Sequence, residues 1–95
     1  MLTPTDLRLQ DDILGLLSCH YRTDRGEEIQ GQSISHLSHE LRDRRWKGVS
    51  NLNDLESVVE RLGFKVVEAQ GYRWGGDGGP NGMMKLGRFA RVVTL

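Results

Sequence analysis

Five of the chain's twelve glycines fall within eight residues, Gly75-Gly76-Asp77-Gly78-Gly79-Pro80-Asn81-Gly82. A stretch with so few side chains buries little apolar surface, so it is either a linker or a turn. Only 13 residues follow it, too few to fold alone, which excludes a linker to a second domain. Asp77-Gly78 and Asn81-Gly82 are both hairpin-turn dipeptides. The flanking segments, Phe64 to Gln70 and Phe89 to Leu95, have the β-branched and aromatic content of strands. The chain therefore reads as one domain over residues 1–95 that closes on a β-hairpin.

Three helical patterns precede the hairpin. Thr3-Pro4-Thr5-Asp6 supplies a cap, a proline at the first helical position and an acidic residue three places after the cap. Leu7, Leu14, Leu17 and Tyr21 then recur at helical spacing, joined by Ile13, and predict a first helix over 4–21. Thr23-Asp24-Arg25-Gly26 breaks the pattern, and Ile29 is the only aliphatic residue before Ile34, which leaves room for a very short strand there. Ser33 or Ser35 can cap a second helix whose apolar stripe is Ile34, Leu37 and Leu41 and which ends near Arg44 or Arg45. Trp46-Lys47-Gly48-Val49-Ser50 is a short connector; its glycine can take a positive φ, its serine can cap a third helix, and its tryptophan is read as core. Leu52, Leu55, Val59 and Leu62, with Val58 beside them, predict that third helix over 51–62, stopped by Gly63.

Composition excludes several classes. With 37% apolar and 27% charged residues the chain is an ordinary globular one. Its longest apolar runs are pairs such as Leu16-Leu17, far short of the roughly 20 residues of a membrane span. No basic stretch followed by an apolar segment opens it, and a lone Cys19 suits a reducing compartment, so a cytoplasmic location is expected. The net charge is zero, yet residues 1–28 hold three basic and six acidic side chains, residues 29–63 five and five, and residues 64–95 five and two. An acidic front and a basic tail allow one face to attract a polyanion despite overall neutrality.

The order of helix, optional short strand, helix, connector, helix and closing hairpin resembles the winged helix-turn-helix superfamily. The resemblance is carried by Ile34-Ser-His-Leu-Ser-His-Glu-Leu41, Gly48-Val49-Ser50, Leu55-Glu-Ser-Val-Val-Glu-Arg-Leu-Gly-Phe64 and Arg91-Val-Val-Thr-Leu95. It implies an α+β domain of three helices followed by a two-stranded wing, with helix three in the major groove of duplex DNA and the wing at the backbone or minor groove. On that reading Ser50, Asn51, Asn53, Asp54 and Ser57 face base edges. Arg42, Arg44, Arg45 and Lys47 anchor phosphates from the turn, and Arg73, Lys85 and Arg88 do so from the wing, where Trp74 offers a stacking surface. A small DNA-binding regulator or accessory protein, acting as a homodimer, is the expectation. Helix three also carries Asp54, Glu56 and Glu60 against Arg61 alone, and acidic groups repel phosphates. The alternative is accordingly a protein-binding winged module that uses this acidic face.

Sharper chemistry finds little footing. His36 and His39 share one side of helix two and Cys19-His20 adds two more metal-type ligands, but a lone cysteine falls short of the paired elements of a structural zinc site. Neighbours on a helix point about 100° apart, so Cys19 and His20 make a poor nucleophile pair. The glycine-rich stretch lacks the Gly-Lys-Ser/Thr ending of a phosphate loop. No catalytic set, metal or cofactor is expected.

Overall fold

The structure, a computed structural model, describes residues 2–74 and 84–95, with side chains for 2–71 and 87–95. Its elements run α1 (Pro4–Leu16), β1 (Cys19–Thr23), β2 (Glu28–Ser33), α2 (Ile34–Asp43), α3 (Leu52–Arg61), β3 (Lys65–Trp74) and β4 (Met84–Thr94). The α+β class holds, with three helices and a closing antiparallel β3–β4 pair, but two strands stand between α1 and α2 where the sequence predicts at most one very short strand. Four antiparallel strands close into a small barrel in the order β1-β2-β4-β3, with β1 returning to β3. The glycine-rich tip from Gly75 to Gly82 lies outside the described residues.

Helix α1 starts as its sequence predicts. The Thr3 hydroxyl accepts from the Asp6 amide, and the Asp6 carboxylate accepts from the Thr3 amide, each at 3.1 Å. It ends at Leu16, however, five residues short of the predicted end, and the chain from Cys19 continues as strand. Leu17 and Tyr21 are buried, as the helical reading required. Four residues are both about one helical turn and an even number of strand steps, so that spacing satisfies either period. Low helix propensity at Gly15, Ser18 and Cys19 then favours the break. The buried face of α1 is only partly the predicted one. Ile13 is buried as expected, but Leu7 and Leu14 are exposed and Leu9 enters the core in their place.

The second strand is longer than expected because it is held by hydrogen bonding more than by apolar side chains. The β1–β2 turn places Gly26 at φ 82° and closes with Gly26 N–H on the Thr23 carbonyl at 3.0 Å and Thr23 N–H on the Glu27 carbonyl at 2.9 Å. Glycine tolerates that positive φ without a Cβ penalty. Beyond the turn, Gly31, Gln32 and Ser33 pair with Thr94, Val93 and Val92. The interior of the barrel holds Tyr21, Ala69 and Val92, with Ile29 and Val67 beside them. The Tyr21 ring covers Gly71, its register partner on β3, and its hydroxyl donates to Gln32 Oε1 at 3.2 Å. Val93, one residue on, points to the other side and joins the larger core of Leu9, Ile13, Ile34, Leu37, Leu41, Leu55, Val59 and Phe64.

Helix α3 matches its prediction within one residue at each end. Asn51, and not Ser50, is the cap, accepting from the Asn53 amide at 2.9 Å. Leu55, Val59 and Leu62 are buried as expected, whereas Leu52 is 43% exposed. Two contacts clasp α3 to α1. Gln10 Nε2 donates to the Leu62 carbonyl at 2.8 Å, and the Arg61 guanidinium meets both Asp6 oxygens at 2.9 and 3.0 Å.

That fork has a pH consequence. The Arg61 guanidinium, aided by the Thr3 amide, holds the Asp6 carboxyl well below its ordinary 3.8. The folded state then binds a proton on Asp6 less readily than the unfolded chain, so its stabilising share is complete above pH 3.8 and is lost as the pH falls below it. Asp6→Asn is expected to lower the urea midpoint at pH 7, with the gap from the wild type closing as the pH drops below 3.8. A gap that stays constant with pH contradicts this assignment.

Candidate nucleic-acid interface

The segment from Arg44 to Asn51 joins α2 to α3. Two anchors fix it. The Trp46 indole N–H donates to Asp12 Oδ2 on α1 at 2.7 Å, and the half-buried ring packs on the helical core. Val49 is 2% exposed, and its carbonyl accepts from the Ser38 hydroxyl of α2. Between and around these anchors, Arg44, Arg45 and Lys47 are exposed. Gly48 takes φ 75°, as the sequence suggested.

Both α2 and α3 end in the same hydrogen-bond motif, with different residues in the left-handed position. At the end of α3, Phe64 N–H reaches the Val59 carbonyl at 2.9 Å and Gly63 N–H the Glu60 carbonyl at 3.0 Å, with Gly63 at φ 96°. After α2, Trp46 N–H reaches the Leu41 carbonyl at 3.0 Å and Arg45 N–H the Arg42 carbonyl at 2.9 Å. Here Arg45 takes the left-handed position at φ 67°, and it is the one non-glycine positive φ among the described residues. A side chain there costs about 1 kcal/mol that glycine avoids.

Arg44 and Arg45 line a shallow groove with Trp46, Arg8, Asp11 and Asp12. Of the predicted phosphate ligands, these two are therefore brought together, and Arg8 of α1 joins them. Arg8 and Asp12 carry no local motif, and only the tertiary pairing of α1 with the connector reveals them. Arg42 instead turns along its own helix, with Nη2 3.2 Å from His39 Nδ1. Arg88 lies elsewhere, exposed beside Ser33, Ser35 and Phe89 at the start of α2, about 15 Å of helix from Arg44. The side chains of Arg73, Trp74 and Lys85 lie outside the described residues; their backbones pair across β3 and β4.

The predicted reading helix is mixed in what it offers. Ser50, Asn53, Asp54 and Ser57 are exposed, but the Asn51 carboxamide oxygen is committed to capping. The Ser57 hydroxyl donates to the Asn53 carbonyl at 3.3 Å. Glu56 is taken by Arg91 of β4 at 2.6 Å, which leaves Asp54 and Glu60 as the exposed acidic pair. On α2, His36 and His39 stand 3.5 and 3.6 Å from Glu40 and Asp43. Among the described residues no three His, Cys, Asp or Glu side chains group as a metal site, and no helix is long and apolar enough to cross a membrane. No protein-family model, curated protein or solved structure matches the chain.

Proposed function

We propose that this chain is a small DNA-binding protein that grips the duplex backbone through the connector between α2 and α3. The observation that supports this reading is Arg45 at a left-handed helix end, where α3 uses Gly63. Residues in costly backbone conformations cluster where function needs the side chain. Arg44 and Lys47 of the same anchored loop, with Arg8 of α1 in the same groove as Arg44, give that side chain cationic company. Clustered Arg and Lys bind DNA by releasing its counterions, which needs no net positive charge on the whole protein. Asn53 and Ser57 of α3 add polar groups suited to base edges, within a limit set by Asp54 and Glu60.

Replacing Arg45 by glycine tests this with two readouts of opposite sign. Thermal stability is expected to rise by about 0.5 to 1 kcal/mol, because the left-handed strain is relieved. Duplex affinity is expected to fall, and the plot of log affinity against log salt to flatten by roughly 0.9 for the lost phosphate contact. Arg44→Ala with Arg45→Ala is expected to flatten it by about two units. An unchanged slope in both variants overturns the connector as the contact. If the folded wild type binds no duplex below about 100 μM at physiological salt, the DNA reading fails. Exposed Leu52 at the start of α3 favours a protein partner in that case.

A further inference from the structure

Asp12 is an unexpected neighbour for a phosphate site. It lies half-buried on α1, one turn after Arg8, and its carboxylate accepts the Trp46 indole N–H at 2.7 Å. Among the described residues this is the only side-chain hydrogen bond that joins α1 to the connector. Trp46 is thereby held twice, by its backbone to Leu41 of α2 and by its ring to α1. Arg44 and Arg45 directly precede it, and both line one groove together with Arg8 of α1.

We propose that Asp12 is a positioning residue for phosphate binding: by holding the Trp46 indole it sets Arg8 against Arg44 and Arg45, so that three arginines converge on one backbone phosphate of duplex DNA. The inference rests on the DNA-binding reading above. It makes α1, outside the helix-turn-helix segment, part of the interface. Charge alone argues the other way, because a carboxylate beside three guanidinium groups opposes an anion. Positioning and charge therefore predict opposite signs when Asp12 is removed. Asparagine separates the two, since its carboxamide oxygen can accept the indole N–H without the negative charge.

The experiment measures affinity for a random-sequence duplex, at several salt concentrations, with the wild type, Asp12→Ala, Asp12→Asn and Asp11→Asn. Asp12→Ala is expected to bind about tenfold more weakly, the loss of one hydrogen bond to a charged group. Asp12→Asn should restore wild-type affinity or exceed it. Asp11→Asn should bind more tightly, because Asp11 is exposed in the same groove and its removal subtracts only charge. Binding by Asp12→Ala as tight as by Asp12→Asn overturns the positioning role and leaves the DNA reading standing. A folded wild type that binds no duplex overturns that reading and the inference with it. Should Asp12→Ala fail to fold, Trp46→Phe removes the indole N–H and keeps the carboxylate. The same tenfold loss is expected there, and wild-type affinity overturns the proposal.

Discussion

Gly31→Ala is expected to cost about 3 kcal/mol, at the upper end of what one added methyl inflicts on a packed interior. A Cβ built on Gly31 runs into the backbone carbonyl oxygen of Val93 and comes within 2.9 Å of Val92 Cγ1. Backbone is the worse obstacle. Val93 pairs with Gln32 on one side and Val66 on the other, so its carbonyl can move only by opening the barrel. Gly31 has no positive φ, which removes backbone strain from the account and leaves steric exclusion. Gly15→Ala is the contrast, since a Cβ there meets nothing within 4 Å and the position is helical. Alanine in place of helical glycine is expected to stabilise by about 0.5 to 1 kcal/mol. Equal urea midpoints for the two variants would refute the close β2–β4 approach.

Leu55→Ala is the second large effect, expected at about 2 to 5 kcal/mol. Leu55 is fully buried within the core shared by α1, α2, α3 and Val93 of β4, so truncation leaves a cavity inside that core. Asn53, two residues earlier on α3, is exposed, and only its backbone amide is used in the cap. Asn53→Ala should therefore stay within about 0.5 kcal/mol. Asn51→Ala should cost about 1 kcal/mol, as loss of a capping oxygen does. Thermal denaturation that ranks Asn53→Ala with Leu55→Ala contradicts the orientation of α3.

These contrasts also explain what the sequence could convey. Helices α2 and α3 were legible because their apolar residues fall on one stripe only, and because Ser33 and Gly63 mark a start and a stop. Helix α1 was legible at its capped start and at Ile13 but not in the rest of its buried face, since Leu7 and Leu14 compete with Leu9 for helical spacing, nor in its end. The barrel was hidden for a different reason. Its wall at Gly31 and Gln32 is built from a missing side chain and a buried amide, neither of which gives a strand-like apolar alternation. At the candidate interface, the cationic run Arg44, Arg45 and Lys47 was visible by composition. The grouping of Arg8 with it depends on a contact across 34 residues, from Asp12 to Trp46, that no local pattern encodes.

The matching ends of α2 and α3 bear on how such a chain drifts under selection. A screen that rewards heat resistance alone should convert position 45 to glycine early, because that substitution is stabilising and breaks none of the backbone bonds that close α2. On the DNA-binding reading proposed above, a screen that also demands duplex binding should hold arginine there and gather its stabilising changes elsewhere, Gly15 among them. The two lineages would diverge first at a single loop residue.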